Sequence, residues 1–247
     1  MNQSNIFTRE EMLELIEEFH ELYQTKPITD NNGGMKSGHM FPAWFVIKKL
    51  QPKYIIESGV WKGLGTWFFE KASPESKIIS IDPNPNFRVY TSDKVDYRTT
   101  DFTQQNWNDV DKENTLVFLD DHQNSLQRLK FAKQIGFKKI MVEDNYPFNQ
   151  GDCYTPKKII SQKKYVIDLA GNRTWYEYNQ EDYNYFSTNV LRYQEFPPLF
   201  KDEKTRWGDD WTNENYETHE PLLNDIKKYV DFFNERKDYT WICYLEI

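Results

Sequence analysis

The sequence of 247 residues contains few cysteines and no cluster of them. Its two thiols, Cys153 and Cys243, lie far apart and form neither a CxxC pair nor a zinc-ligand spacing. This pattern predicts two ordinary thiols in a reducing compartment, so we expect a cytoplasmic protein. The polar and acidic residues 1–11 do not have the pattern of a signal peptide.

Long apolar runs and basic clusters are also missing. No apolar run approaches the length of a membrane span, so we expect no association with a membrane. The net charge is −8 and no stretch concentrates Lys and Arg, which argues against nucleic acid as a partner. Hydrophobic residues make up 38% of the chain, which is enough for a core. We therefore predict one domain over residues 1–247.

Glycine is scarce, with ten residues, yet Gly59, Gly63 and Gly65 fall within one short stretch. They follow the apolar run 54–56 and the acid Glu57, and a predicted helix begins just after them. A strand, a glycine-rich turn and a helix form the nucleotide-binding unit of doubly wound α/β folds. The spacing G-x-x-x-G-x-G differs from the dinucleotide fingerprint, which makes NAD the weaker interpretation. A turn without any ligand is the alternative.

Further apolar runs alternate with helical patterns along the first 145 residues. The predicted strands cover 77–81, 95–99, 116–119 and 139–142, and the predicted helices cover 8–24, 42–50, 104–110 and 124–135. This alternation predicts an α/β fold with a doubly wound, mostly parallel sheet. A short helix at 155–161, an apolar run at 165–169, a helix at 221–234 and a strand at 239–247 are predicted beyond them.

Acidic side chains follow the predicted strands at the points where they end. Asp82, Asp120 and the pair Glu143–Asp144 occupy these positions. Because ligands of open α/β sheets bind at the carboxyl ends of the strands, we expect these acids to meet in one crevice. Carboxylates brought together repel each other, and a cation between them relieves the repulsion. Oxygen ligands without cysteine favour Mg²⁺. The alternative is a set of solvated strand-end caps.

The motifs E-S-G-V-W-K-G, S-I-D-P, F-L-D-D-H and V-E-D-N resemble those of S-adenosylmethionine (SAM) dependent O-methyltransferases of the macrocin and cephalosporin-hydroxylase type, with catechol O-methyltransferase more distant. The resemblance covers residues 53–145 and implies the Rossmann-like methyltransferase fold with a C-terminal antiparallel strand. It implies that SAM contacts the following residues: Glu57, Gly59, Trp61, Gly63, Thr66, Asp82, Asp101, Phe102 and Asp120. In this family the acid that ends the second strand, here Asp82, holds the ribose. Asp101 would accept a hydrogen bond from the adenine amino group, and Phe102 would pack on the adenine ring.

The same resemblance implies a Mg²⁺ site. Its ligands would be Asp120, Glu143 and Asp144, whereas the catechol-type pattern would use Asp120, Asp144 and Asn145. The sequence leaves both sets open, although a second carboxylate binds Mg²⁺ better than an amide.

The general base is expected to be a histidine. Several family members carry a His or Lys three residues after the first metal ligand, where this chain has Gln123, which cannot take a proton. Other members use the second residue, which is His122 here. His39, in the polar glycine-rich loop before the first strand, is the second candidate.

These expectations predict a Mg²⁺-dependent O-methyltransferase acting on a small polar acceptor, such as a sugar-linked metabolite. A metal-dependent hydroxylase or hydrolase using the same acids, and a non-catalytic SAM-binding protein, are the alternatives. Residues 1–50 are predicted to form a helical cap. The aromatic segment 171–220 is expected to be an insertion that acts as a lid or as an association surface, the latter in keeping with a homo-oligomer.

Overall fold

The computed structural model describes residues 6–247 of the chain. Within this range the strands are β1 (Tyr54–Ser58), β2 (Lys77–Ile81), β3 (Val95–Arg98), β4 (Thr115–Leu119), β5 (Lys139–Val142), β6 (Tyr165–Leu169), β7 (Asn172–Tyr176), β8 (Arg192–Glu195) and β9 (Cys243–Glu246). The helices are α1 (Arg9–Gln24), α2 (Ser37–Leu50), α3 (Leu64–Ala72), α4 (Ser125–Ile135), α5 (Pro156–Ser161), α6 (Gln180–Asn189) and α7 (Val230–Asn234). No described helix is long and apolar enough to cross a membrane.

Seven of the strands form one sheet in the order β3-β2-β1-β4-β5-β9-β8. The first five strands are parallel, while β9 runs antiparallel to both β5 and β8. The predicted fold is thereby confirmed as a Rossmann-like, doubly wound and mostly parallel sheet with a C-terminal antiparallel strand. The order reverses between β1 and β4, and this is where ligands bind in such sheets.

The central strands are buried on both faces, which explains their continuous apolar runs. Neighbouring residues of a strand point to opposite faces. Ile55 therefore packs in a core with α1, α2 and α3, whereas Ile56 packs in the core that contains α4 and α5. Thr8 and Glu11 form a capping box at the start of α1, as the pattern T-x-x-E indicates.

Two predicted helices are wrong. Residues 104–110 form turns, and only a single 3₁₀ turn at Phe102–Gln104 precedes them. Residues 221–229 are also irregular, so the predicted helix 221–234 is reduced to α7. In addition, α2 begins at Ser37 rather than Pro42, because the backbone N–H of Ser37 donates to the distant Glu235 carboxylate at 2.9 Å.

The segment 171–220 is less irregular than its sequence indicated. It contains β7, α6 and β8, and β8 forms the edge of the main sheet. Several of its aromatic side chains pack against Trp241 and complete the core, among them Trp211 and Tyr216. These rings are therefore buried within the protein rather than exposed to a ligand.

Gly59 allows the ends of β1 and β4 to approach each other. Its φ is +96°, and a Cβ at this position would lie 2.0 Å from the carbonyl oxygen of Asp120. We predict that Gly59→Ala lowers the free energy of unfolding by about 3 kcal/mol or more, because a backbone atom blocks the methyl group.

The matched control is Gly171→Ala. Gly171 also has a positive φ of +84°, but no atom lies within 4 Å of the added Cβ. This variant should cost only about 1–2 kcal/mol, the strain of the left-handed conformation. Urea unfolding of both variants measures the difference, and equal losses would contradict the role assigned to the close approach.

Candidate active site

A cleft of about 260 Å³ opens at the carboxyl ends of β1, β2 and β4. Of the residues that the sequence singled out, the following line it: Gly59, Trp61, Asp82, Asp101, Asp120 and His122. The sheet register brings them together, since Ser58 is paired with both Ile81 and Leu119, so the residues after these strands leave the sheet at one edge.

Asp82 holds the glycine-rich loop. Its Oδ2 accepts hydrogen bonds from the backbone N–H groups of Val60 at 3.2 Å and Trp61 at 3.1 Å. Its Oδ1 accepts from the backbone N–H of Asn84 at 2.8 Å. The carboxylate is half-buried and lines the cleft. Because each carboxylate oxygen has two lone pairs, Oδ1 can accept one further hydrogen bond from a ligand.

Trp61 connects this loop to the segment before α2. Its indole Nε1 donates to the backbone oxygen of Asn32 at 3.0 Å, and its ring lies 4.7 Å from that of Phe87. Gly33 and Gly34 pack against the indole and line the cleft beside it. The polar glycine-rich loop before α2 therefore borders the cleft.

Four predicted cofactor residues lie behind the cleft rather than in it. Glu57 is buried and accepts from Thr66 Oγ1 at 2.6 Å and Ser80 Oγ at 2.5 Å, and burial raises its pKa to about 7. Gly63 serves as the N-cap of α3. Phe102 is fully buried among core aromatic rings. The structure places Glu57, Gly63, Thr66 and Phe102 in the support of the loop and core, and their contact with SAM stays a prediction.

Arg128 is a cleft residue that the sequence did not indicate. Its guanidinium donates to both oxygens of Asp101, at 2.8 and 2.6 Å, and lies 2.9 Å from Asp121. The hydrogen bonds from Arg128 hold the pKa of the Asp101 carboxyl well below its usual range. The signal that could have found Arg128 is its position between Leu126 and Leu129, on the buried face of α4.

The acids at the ends of β4 and β5 form one cluster, as predicted. Asp144 lies with Asp120 and His122 in one group of potential ligands, and with Glu143 and His39 in another. Burial, followed by the charges of neighbouring acids, raises the pKa of both Asp120 and Glu143 well above the usual range. Carboxylates that repel each other in this way form a donor set that suits a divalent cation.

Asn145, the alternative ligand of the catechol-type pattern, is engaged elsewhere. Its Oδ1 accepts from the backbone N–H of Lys157 at 2.8 Å, and its Nδ2 donates to the Tyr193 hydroxyl at 2.8 Å. The side chain is fully buried. This geometry favours Glu143 over Asn145 as the third ligand.

His39 lies under the acid cluster. Its Nε2 accepts a hydrogen bond from the backbone N–H of Thr240 at 2.8 Å, so Nδ1 carries the ring proton and donates a hydrogen bond to Glu143. Burial lowers the pKa of His39 to about 4. With both ring nitrogens engaged, His39 is better suited to orient Glu143 than to remove a proton.

His122 stands at the mouth of the cluster with about half of its side chain exposed. Its Nδ1 lies 3.1 Å from both carboxylate oxygens of Asp152, and its Nε2 lies 3.4 Å from Asp144 Oδ2. The hydrogen bond to Asp152 and the nearby acids Asp144 and Asp120 raise the pKa of His122 to about 10. Asp152 thus orients the ring so that Nε2 faces the acids.

A larger cavity of about 610 Å³ lies between α5, β8 and residues 213–219. It contains none of the predicted site residues. Its lining includes the ion pair Lys157–Glu195, in which Lys157 Nζ lies 2.7 Å from Glu195 Oε2. Because the acids after β1, β2 and β4 converge on the smaller cleft, we assign the chemistry there.

No protein-family model and no curated protein matches the chain. Among solved structures, an O-methyltransferase from Bacillus cereus in complex with SAH is similar at 11% identity and a TM-score of 0.47, covering 98% of this chain and 93% of that one. An SAH-bound methyltransferase from Podospora anserina matches at 15% identity and a TM-score of 0.37, covering 58% and 64%. The tomaymycin-synthesis O-methyltransferase of Streptomyces achromogenes, in complex with SAM, matches at 13% and 0.39, covering 56% and 67%.

In the Podospora comparison the match therefore spans less than two thirds of the other chain. Likeness at these identities concerns the fold alone, and the function must be inferred from the residues of this chain. The matched structures are methyltransferases, as the resemblance in the sequence motifs predicted.

Proposed function

We propose that the protein is a SAM-dependent methyltransferase that transfers the methyl group to a hydroxyl of a small polar metabolite, with Mg²⁺ bound by Asp120, Glu143 and Asp144. The observation that carries this proposal is the continuity of the site. Asp120 and His122 line both the cleft that contains Asp82 and a small adjoining cavity that reaches Asp144. Cofactor recognition and acid chemistry are thus available in one place.

The cleft offers two kinds of contact to SAM, one to its ribose hydroxyls and one to its positively charged sulfonium. Asp82 follows the second strand of the nucleotide-binding unit, where an acid accepts hydrogen bonds from ribose hydroxyls. Gly59 lines the cleft beside Asp82, so the loop backbone would lie next to a ligand bound there. The acids around Asp120 also provide a negative environment that attracts the sulfonium.

The acids supply the ligands of the metal and His122 supplies the base. A divalent cation bound there would acidify the acceptor hydroxyl and offset the negative charge that raises the pKa of His122. His39 and Thr240 orient the ligands, since Thr240 Oγ1 donates to Asp144 Oδ1 at 2.8 Å. His122 Nε2 takes the hydroxyl proton, the acceptor oxygen forms a bond to the methyl carbon, and the bond from that carbon to sulfur breaks.

The iron hydroxylase alternative is less well supported by this donor set. Non-haem iron oxygenases use two histidines and one carboxylate. Each of the two potential ligand groups found among residues 6–247 contains one histidine and two acids. Oxygen-rich groups of this kind suit Mg²⁺ better.

We predict that SAM binds and that Asp82→Ala weakens its binding by about 10- to 150-fold, the range for charge-assisted hydrogen bonds worth about 1.5–3 kcal/mol. Titration calorimetry with SAM and with NAD measures both affinities. The exposed Asp93→Ala is the control and should bind SAM normally. Tight binding of NAD without any heat from SAM would refute the proposed cofactor.

We predict that millimolar Mg²⁺ raises the melting temperature of EDTA-treated protein, because a ligand that binds the folded state stabilises it. Asp144→Asn should melt at or above the wild-type temperature in EDTA, since one repelling charge is gone. It should lose the response to Mg²⁺, whereas Asp168→Asn, in the distant β6, should retain it. An unchanged wild-type melting temperature on adding Mg²⁺ would contradict the metal site.

We predict that His122→Ala lowers the rate of methyl transfer by about 10²- to 10⁴-fold, the usual effect of a lost base. SAM affinity should stay close to that of the wild type. The rate is measured as SAH release with an acceptor found among small hydroxylated metabolites. His219→Ala, at an exposed position away from the cleft, is the control. A full rate in His122→Ala would remove the residue from the mechanism.

A further inference from the structure

Lys158, in α5, is a buried lysine whose ammonium group contacts backbone carbonyls instead of a carboxylate. Only 1% of the residue is exposed. Among the described residues, its Nζ donates to the carbonyl oxygens of Gly151 at 3.3 Å, Cys153 at 2.7 Å and Val166 at 2.7 Å. Burial lowers the pKa of Lys158 to about 8, so the group is mostly charged at neutral pH. Its three N–H groups thus have three acceptors, which a buried charge requires.

Two of these carbonyl groups flank Asp152 in the chain. Gly151 comes directly before it and Cys153 directly after it, while Val166 lies in β6, so the ammonium ties this segment to the strand. Gly151 adds a second constraint, because its φ is +83° and a Cβ there would lie 2.1 Å from the ring of Tyr146. The backbone is therefore fixed on both sides of Asp152.

Asp152 is the residue through which this segment reaches the proposed base. Both of its carboxylate oxygens lie 3.1 Å from His122 Nδ1. Its side chain is 35% exposed, so the contact is not enclosed by packing and depends on the backbone that carries it. Burial alone would raise the pKa of Asp152, but the hydrogen bond and charge of His122 and the charge of Lys158 lower it. Lys158 therefore affects both the position and the ionisation of Asp152.

We propose that Lys158 is a positioning residue for methyl transfer: its ammonium holds the backbone on both sides of Asp152, and Asp152 thereby keeps His122 turned toward the acids. This inference rests on the proposed role of His122 as the base and adds a residue outside the lining of the cleft on which that orientation depends. A displacement of about 1 Å in a reacting group can slow a reaction about 100-fold, so a rigid anchor for this segment affects turnover.

The first test compares crystal structures of the wild-type protein and Lys158→Met. Methionine has a similar length but no N–H donor, so the segment should relax and the Asp152 carboxylate should leave hydrogen-bonding distance of His122 Nδ1. The acids after β4 and β5 should remain in place. Lys164→Met is the matched control, because this nearby lysine is exposed and pairs with Glu177 at the surface. It should keep the contact between Asp152 and His122.

The second test measures the release of SAH from SAM, with monosaccharides and catechol as acceptors. Lys158→Met should lower kcat about 10- to 100-fold, whereas the KM for SAM should stay within about twofold of the wild-type value, because the cofactor contacts are intact. The double variant Lys158→Met with Asp152→Ala should be no slower than Asp152→Ala alone, because Lys158 acts through Asp152. Losses that multiply in the double variant would instead show a separate, purely structural effect of Lys158.

The outcomes distinguish this inference from the proposed function. A wild-type protein that methylates none of the acceptors would contradict the proposed function, while the two crystal structures would still decide whether Lys158 positions Asp152. If Asp152 stays beside His122 in Lys158→Met, or if kcat is unchanged, the inference is overturned. Lys158→Gln, which keeps two N–H donors on a shorter side chain, takes the place of Lys158→Met if melting curves show that the latter does not fold. Failure of both variants to fold would leave Lys158 a stabilising role only and would also overturn the inference.

Discussion

The close contact between the ends of β1 and β4 determines where every other group of the candidate site lies. The backbone N–H of Asp120 donates to the Ser58 oxygen at 2.7 Å, and Gly59 turns away with a positive φ that leaves space for the Asp120 carbonyl. The loop after Gly59 can then reach Asp82, while Asp120 begins the wall that continues to Asp144. A larger side chain at Gly59 would separate the cofactor loop from the acids, so the two halves of the proposed chemistry depend on one backbone approach.

The second constraint is the accumulation of negative charge behind that contact. Asp120, Glu143 and Asp144 are brought together by strand register, and their repulsion must be compensated in the folded protein. Part of the compensation comes from His39 and Thr240, which donate to Glu143 and Asp144. Another part comes from His122, whose pKa is raised first by its hydrogen bond to Asp152 and then by the charges of Asp144 and Asp120. The proposed metal would complete this compensation. The residues that orient its ligands, His39 and Thr240, and the proposed base, His122, all contact the same group of acids for this reason.

The sheet was predictable because buried parallel strands leave continuous apolar runs in the sequence. Helix α1 was predictable because its capping box is local in sequence. The start of α2 was not predictable, because it depends on Glu235, nearly two hundred residues away, and because Pro42 has the residue type that favours a first helical turn. In the site, the convergence of Asp82, Asp120 and Asp144 was predictable because strand ends meet at one edge of the sheet. The burial of Glu57 and Phe102 behind the cleft was not, because sequence position does not reveal which side of a loop faces the cleft. Arg128 was missed because its partner Asp101 comes from another strand end.

The surroundings of the acids in the cleft divide them into two kinds. Asp101 accepts hydrogen bonds from a buried guanidinium, which holds its pKa well below the usual range and keeps it ionised. Asp120 and Glu143 are buried beside other acids, and both burial and these charges raise their pKa values, so they gain most from a cation. Acids of one cleft thus differ in their ionisation, and an arginine on α4 accounts for the ionised state of Asp101. Moving a comparable cation next to Asp120 would pair the ligands internally and remove the electrostatic reason for binding a metal.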